Sequence, residues 1–352
     1  RRLRLNRDPA RPMPNSDSMH GVYVDNADFF EKVSLANVAS LAGSVSQLQS
    51  ELAEVYSQAG VPASESKRVC RALVDEKLGF VINGERGTMA VSVSKRCKLI
   101  RATFGVIDLI RRRGFHGVTR RLARGAAAKF MFCFSARRPL MSCFERIFLP
   151  TCSASRACEE LWLAAVLLVL SEADLRASLG PYLYATDASH VGGAVVRASV
   201  PPEQQRMWIA RADARGSAVR LADDLDLPLA KRVSPLYAFP TLDYQWQLIF
   251  KFPWASPAHI TLLEGLAFLA LLKHRARQRV CHGQRFGNVF DALVAIGYLA
   301  KGRSSSNRVN FLCRRVCALT LASNQHPFYL WTSTDIHPAD YGSRHPGRPV
   351  KT

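Results

Sequence analysis

The order in which strands and helices follow one another in the second half of the chain is the feature that most limits its fold. From residue 181 onward, short apolar runs of strand character are interspersed with longer runs of helical period. They predict the order β-β-β-α-β-α-α-β, with a further short helix in the tail. Strands and helices mixed in this way are typical of an α/β domain with a mixed sheet.

The first two of these strands come from "PYLYATDASHVGGAVV", residues 181 to 196. Residues 182 to 184 predict one strand and residues 194 to 196 begin the next, with two glycines relaxing the backbone where the chain folds back. Asp187 then lies in a turn, where an aspartate often hydrogen-bonds its own backbone. The small residues around the turn, Ala188, Ser189, Gly192 and Gly193, would also allow the backbone of a bound molecule to approach closely.

The later elements follow from similar patterns. We expect a third strand at "RMWIAR", residues 206 to 211, inside an irregular, proline-rich segment that continues as a long loop to residue 258. "HITLLEGLAFLALLKHRAR" predicts a helix with Thr261 as its N-cap. "GNVFDALVAIGYLAKGRSSS" predicts a short strand and a helix that ends at Gly302. A helix from Asn307 to Ser323 then precedes the last strand.

The first half divides into three segments. Residues 1–18 are rich in Arg, Pro, Asn and Ser and are expected to be a poorly ordered lead-in. Residues 19–94 predict a strand-turn-strand at "MHGVYVDNADFF", a helix over residues 37 to 58 and a hairpin over residues 78 to 93. Residues 95–180 predict basic helices, and residues 181–352 form the α/β domain.

Charge and cysteine usage narrow the class of protein. The chain has 48 Lys and Arg against 28 Asp and Glu, which gives a net charge of +20 and favours nucleic acid as partner, with an anionic membrane surface second. The longest apolar run, "LWLAAVLLVL", is about half of what a bilayer span needs, so we expect no membrane helix. Nine scattered cysteines indicate reduced thiols and an intracellular location, nuclear or cytoplasmic. The basic N-terminus has no apolar stretch behind it, so we expect no secretory signal. Since the chain starts without Met, we expect it to be part of something longer.

Two basic stretches are candidates for contact with phosphates. "IRRRGFHGVTRRLARG" has so one-sided a charge that it favours a phosphate-contacting surface over a merely solvated helix face. In the "GRSSS" turn, basic side chains and backbone N–H groups would hold a phosphate, although helix capping explains the same residues. The predicted nucleic-acid-binding residues are Arg111, Arg112, Arg113, Arg120, Arg121, Lys301, Arg303 and Ser304.

Four acidic residues fall at the ends of the predicted elements. Asp187 ends the first strand, Glu264 lies in the first turn of the helix, Asp291 ends a later strand and Asp340 follows the last one. If the first and fourth strands are neighbours, Asp187 and Asp291 emerge side by side, and a crossing helix brings Glu264 between them. Acids so close need a positive charge, and hard divalent cations, Mg²⁺ or Mn²⁺, supply it. Two such ions about 4 Å apart activate a water and stabilise the leaving oxygen of a phosphodiester.

Four segments of the second half together resemble the ribonuclease H domain of retroelement reverse transcriptases, of the type in DIRS-like and related retrotransposons. They are "YATDASHVGGAVV", "HITLLEGLAFLAL", "NVFDALVAIGYLAKGRSSS" and "WTSTDIHPADYGSR". The resemblance implies a ribonuclease H-like mixed five-stranded sheet with flanking helices. It also implies a catalytic Asp-Glu-Asp-Asp set that holds two metal ions, which falls on Asp187, Glu264, Asp291 and Asp340. It covers about half the chain.

The first half is similar to the end of the polymerase of the same polyprotein, an α+β palm and thumb remnant. "VYVDN" resembles the metal-binding box of the palm, with Asp25 at the first acid and Asn26 where a second acid is usual. "GVPASESK" and "LGFVI" resemble the two motifs that follow it. Because the other metal-binding Asp of the palm would lie upstream of residue 1, we expect no reverse transcription by this chain alone.

The resemblance implies hydrolysis of the RNA strand of an RNA-DNA hybrid, and two other functions compete with it. One is a catalytically inactive nucleic-acid-binding relic. The other is an ATPase or sugar kinase of the wider superfold, for which "ADYGSRHPG" is a poor second phosphate loop.

His337, or else His326, would assist product release or proton transfer; a surface histidine is the alternative. Core packing is favoured over base stacking for Trp208, Trp246, Trp254 and Trp331.

Overall fold

A computed structural model describes residues 18–23, 26–31, 33–61, 69–213 and 237–347 of the 352-residue chain. Asp25, most of "GVPASESK" and nearly all of the predicted lead-in lie outside the described residues. Strands β1 (Ser18–Tyr23) and β2 (Asn26–Glu31) form an antiparallel pair, as the sequence predicts.

The single helix predicted over residues 37 to 58 is two helices, α1 (Val38–Leu41) and α2 (Gln47–Gln58). Gly43 adopts a φ of +76° between them, a conformation that ends the first helix. The Ser46 side chain accepts a hydrogen bond from the Gln49 backbone, and the Gln49 side chain accepts one from the Ser46 backbone. This capping box starts α2 and explains why the apolar period resumes there.

A small antiparallel sheet joins the two segments that the sequence separates at residue 94. Strands β3 (Val74–Lys77), β4 (Phe80–Asn83) and β5 (Thr88–Ala90) are followed by helices α3 (Val93–Arg113), α4 (Gly117–Cys133) and α5 (Ala154–Leu167). Strand β6 (Glu172–Asp174) then pairs with β5 and completes the order β3-β4-β5-β6. The hairpin predicted over residues 78 to 93 is confirmed by β4 and β5.

The helices of this segment enclose most of one hydrophobic core, which a buried carboxylate helps to close. Glu160 on α5 is 4% exposed and accepts hydrogen bonds from the backbone N–H groups of Glu145, Arg146 and Ile147 at 2.9, 2.7 and 3.0 Å. Arg124 on α4 donates to the carbonyls of Ile147 and Phe148 in the same loop. The loop after α4 is therefore held from both sides by side chains of two helices.

The second half contains five strands and five helices among the described residues. In chain order they are β7 (Tyr182–Ala188), β8 (Gly192–Ser199), α6 (Pro202–Arg211), β9 (Trp246–Pro253), α7 (Ile260–Ala276), β10 (Arg285–Phe290), α8 (Leu293–Lys301), α9 (Asn307–Ala322), β11 (His326–Trp331) and α10 (Asp340–Arg344). The strands form one mixed sheet in the order β11-β10-β7-β8-β9. The first and fourth of these strands in chain order, β7 and β10, are parallel neighbours in the sheet. This confirms the prediction of an α/β domain with a mixed sheet.

Three local predictions are wrong. "RMWIAR" lies in α6 rather than in a strand, because Gln205 and Trp208 recur at helical spacing and are both buried. The third strand is β9, within the segment predicted as a loop; its aromatic and branched residues pair with β8 across a bulge. The N-cap of α7 is His259, whose Nδ1 accepts from the Thr261 backbone, rather than Thr261.

The predicted end of α8 is confirmed, with Gly302 in a left-handed conformation at a φ of +77°. A Cβ at this position would collide with the carbonyl of Arg138 from the helical segment. Arg138 in turn donates to the Ala300 carbonyl at 2.8 Å. Gly302 is thus required both for the turn and for the contact between the two halves of the chain.

Stability is expected to depend on the protonation of His326, at the start of β11. Burial first, then the cations Arg137 and Arg285, lowers its pKa to about 4, and Asp174 acts in the opposite direction. Since the imidazole of the unfolded chain titrates near pH 6.5, the contribution of neutral His326 to the free energy of unfolding is fully present above that pH. It is lost as the pH falls towards 4. The free energy of unfolding should drop by about 3 kcal/mol over this window.

Denaturant unfolding at several pH values checks this expectation. His326→Gln, which keeps a polar side chain beside Arg137 and cannot titrate, should flatten this part of the curve. Parallel pH curves for the two proteins would show that His326 does not carry the effect.

Candidate metal centre

Three acidic side chains from three different elements meet at one edge of the five-stranded sheet. Asp187 is the second-last residue of β7, Asp291 directly follows β10, and Glu264 lies in the second turn of α7. Each offers one carboxylate oxygen, and these three oxygens all lie within 4.8 Å of one another. Asp187 pairs with Ala194 inside the β-ladder, so it is a strand residue and the turn predicted around it begins later.

The surroundings leave a buried carboxylate oxygen of the triad without a donor. The Ser343 hydroxyl donates to Oδ2 of Asp187, and the Thr334 hydroxyl donates to Oδ2 of Asp291 at 2.8 Å. Glu264 is 4% exposed, and its Oε2 has no hydrogen-bond partner among the described residues. A buried carboxylate oxygen without a partner is unfavourable unless a cation or a proton occupies its lone pairs.

The protonation equilibria of the cluster reflect this crowding. Burial, followed by the charges of Asp187 and Asp291, raises the pKa of Glu264 to about 9, against a hydrogen bond from the Ala188 backbone. Burial also raises the pKa of Asp187, while His337 and Ser343 oppose the shift. Because carboxylates so close repel one another when ionised, a divalent cation with oxygen ligands fits the donor set. The triad is thus able to bind a metal.

The fourth predicted ligand, Asp340, stands next to this triad but does not belong to it. It begins the short helix α10, where the Nε of Arg344 lies 2.9 Å from both of its carboxylate oxygens. Its negative charge still contributes to the raised pKa of Asp187. The structure therefore brings three of the four predicted acids together and pairs the fourth with an arginine.

Ser343 is a residue of the site that the sequence reasoning missed. Besides Asp187, its hydroxyl lies 2.9 Å from the Asp340 carbonyl, and its own carbonyl accepts from Ser189 at 2.8 Å. It therefore connects α10 to the end of β7. The spacing of three residues from Asp340, one helical turn, was the available signal.

The two candidate auxiliary histidines have different positions. His337 is buried, with its Nδ1 at 3.9 Å from Oδ1 of Asp187, so the alternative of a surface histidine is wrong. His326 pairs with Arg285 at the start of β11, whereas Asp291 follows the other end of β10. Six residues of strand separate them by roughly 20 Å, so His326 is not an auxiliary of the triad.

The predicted phosphate contacts divide into exposed and internally bonded groups. On α3 and α4, Arg111, Arg112, Arg113 and Arg121 are exposed; Arg112 also pairs with Asp108 at 3.0 Å, and Arg120 packs over the Phe115 ring. The phosphate contacts along these helices remain a prediction.

Parts of the "GRSSS" turn are bonded within the protein. Lys301 is exposed, but Arg303 packs over Phe148, and the Ser304 and Ser306 amides donate to Asn310 and to the Ser304 hydroxyl. These two amides are already bonded within the protein, and phosphate binding by Lys301, Arg303 and Ser304 remains a prediction.

The glycines at the start of β8 and the four tryptophans considered above serve packing. A Cβ on Gly192 would meet Pro346, and one on Gly193 would meet the Phe252 ring, so neither glycine opens a space for RNA. Trp254 donates to the Ser189 carbonyl at 2.8 Å and Trp331 to the Asp291 carbonyl at 3.0 Å. These indoles fix the backbone around the triad, as the packing interpretation predicts.

Comparison with known proteins gives a distant structural likeness. No family model matches the chain, and no curated protein matches it. Among solved structures, a foamy viral protease-reverse transcriptase in complex with an RNA/DNA hybrid is similar at 12% identity with a TM-score of 0.29. The match covers 93% of this chain and 57% of the viral one, so the chain spans little more than half of that protein. Within the described part, no helix is both long and apolar enough to cross a bilayer.

Proposed function

We propose that the chain derives from a retroelement, of the DIRS-like or a related type, and that residues 181–352 form a ribonuclease H-like domain. Its reaction is hydrolysis of the RNA strand of an RNA-DNA hybrid. The observation that carries this proposal is the meeting of Asp187, Glu264 and Asp291 at one sheet edge. The adjacency of the first and fourth strands, which the sequence resemblance requires, supports it.

The cofactor in this proposal is a pair of Mg²⁺ or Mn²⁺ ions. Asp187, Glu264 and Asp291 would hold one, and Asp340 would complete the second site once it leaves Arg344. Such ions, when bound, supply an activated water and stabilise the leaving oxygen of the phosphodiester.

The chain's own residues prepare this site before any ion arrives. Ser343 orients the carboxylate of Asp187, and Thr334 orients that of Asp291. The buried Oε2 of Glu264, which has no hydrogen-bond partner among the described residues, is left open to an ion. Burial of Asp187 and Glu264 keeps competing water away from the carboxylates.

Binding of the hybrid would rely on charge. The net charge of +20 and the exposed Arg111, Arg113 and Arg121 support attraction to a phosphate backbone. We propose an intracellular location, nuclear or cytoplasmic, where such hybrids occur. We propose no reverse transcription by this chain alone.

The test is cleavage of a labelled RNA strand by the full chain in Mg²⁺. We expect cleavage in a hybrid with DNA, none in all-RNA or all-DNA duplexes, and none after chelation of the metal. The pairing of Asp340 with Arg344 favours the second candidate, an inactive nucleic-acid-binding relic. Tight hybrid binding with no cleavage in either Mg²⁺ or Mn²⁺ would establish that candidate instead.

Arg344→Gln is expected to tighten the binding of divalent ions about two- to five-fold, because it frees Asp340 from an exposed ion pair. Isothermal titration with Mn²⁺ measures the effect without relying on activity. The double variant Asp340→Asn with Arg344→Gln should not show this increase in ion affinity. An unchanged affinity in Arg344→Gln would show that Asp340 takes no part in ion binding.

A further inference from the structure

One of the five tryptophans differs from the others in its exposure. Trp162 on α5 is 53% exposed, whereas Trp208 is buried and the remaining three are partly buried in the second half of the chain. It lines a cleft of about 510 Å³ between α3 and α5, whose apolar part includes Ile107, Ile110 and Ala154. Such a volume lies within the range of sites for small organic groups, roughly 300–1,000 Å³.

The charge around the cleft is positive. Arg111 lines it and Arg113 follows in the last turn of α3, whereas Arg112 is paired with Asp108 at 3.0 Å. Glu159, which also lines it, is paired with Arg156 at 2.7 Å. An occupant that matches this surface has a flat apolar face for the indole and a negative charge for Arg111.

The register of the two helices fixes the size of this occupant. The Cys158 thiol lies 4.0 Å from the Ile107 carbonyl, so these two residues are level with each other. Arg111 lies one turn along α3 and Trp162 one turn along α5, and Arg111 acts electrostatically on Cys158. Arg96, near the start of α3, donates to the carbonyl of Val169, just beyond the end of α5, so the two helices run antiparallel and the two groups lie about 12 Å apart along the axes. That span suits a strand of two or more nucleotides better than a mononucleotide.

We propose that this cleft binds single-stranded nucleic acid, with an unpaired base stacked on Trp162 and a neighbouring phosphate at Arg111. A base stacks on an indole regardless of its identity, so the site is sequence-tolerant. It is separate from the triad and does not depend on the proposed hydrolysis. An overhang beyond a hybrid or a free single strand would be the source of the unpaired base.

The test measures binding of a fluorescent oligothymidylate by anisotropy in EDTA, so that loss of the metal-dependent reaction cannot affect the result. Trp162→Ala should weaken binding about 5- to 100-fold, and Trp162→Phe should retain most of it. Arg111→Gln should weaken binding and reduce the slope of log affinity against log salt by about one. Phe311→Ala removes another exposed aromatic, 61% exposed on α9, and should have no effect.

Two results would overturn the proposal. Equal affinity of the wild type and Trp162→Ala, with melting temperatures that show both are folded, excludes stacking in the cleft. Self-association that is lost in Trp162→Ala at unchanged oligonucleotide affinity would assign this face to a second copy of the chain.

Quenching of tryptophan fluorescence by the oligonucleotide in the wild type, absent in Trp162→Phe, is the expected direct signal.

Discussion

Asp187→Asn is expected to lower the rate of hybrid cleavage by at least about 10³-fold, which corresponds to about 4 kcal/mol of lost barrier reduction. Asparagine has the same shape and still accepts from Ser343, but it removes the negative charge from the middle of the triad. The affinity of this variant for divalent ions should also fall. The affinity for the hybrid, which the proposed function assigns to basic residues elsewhere, should stay within about two-fold.

Cleavage under single-turnover conditions, ion titration and hybrid binding separate these effects. Asp335→Asn is the matched control, since this exposed acid on the same side of the sheet lies outside the triad. Full activity in Asp187→Asn, or an equal loss in Asp335→Asn, would remove the triad from the mechanism. Loss of hybrid binding in Asp187→Asn would indicate a structural role for the residue.

The convergence of the triad could be predicted because it depends on rules that act locally. Asp187 and Asp291 end parallel neighbouring strands, and such ends meet at one edge of a sheet. Glu264 follows from the direction in which its helix crosses that sheet. The orientation of Asp340 could not be predicted in this way, because it depends on competition between the triad and Arg344 for one side chain.

Other parts of the fold depend on contacts that no short pattern contains. Strand β6 has three residues and exists only because β5, more than 80 residues earlier, offers an open edge. Strand β9 is surrounded by prolines, which made its segment look like a loop until β8 paired with it. The exposure of a side chain also depends on distant parts of the chain. Nothing around Trp162 in the sequence distinguishes it from the buried Trp208.

Glu160→Ala is expected to lower the free energy of unfolding by about 3–5 kcal/mol, because three backbone N–H groups of the loop at 145–147 lose their common acceptor. Glu160→Gln should lose about 1–3 kcal/mol, since its amide retains a single acceptor oxygen. Denaturant unfolding measures both. Glu159→Ala, which removes the exposed neighbouring acid, should change stability by no more than about 0.5 kcal/mol.

The same substitution bears on how the two halves depend on each other. Arg314 on α9 donates to the carbonyls of Ser142 and Cys143, next to the loop that Glu160 holds, and Cys317 on α9 belongs to the core of the helical segment. Loosening that loop therefore also loosens the support of α9 in the α/β domain. We expect Glu160→Ala to shift one common transition, followed by fluorescence and by circular dichroism alike. Two separate transitions, with only the earlier one shifted, would show instead that the α/β domain folds independently of the helical segment.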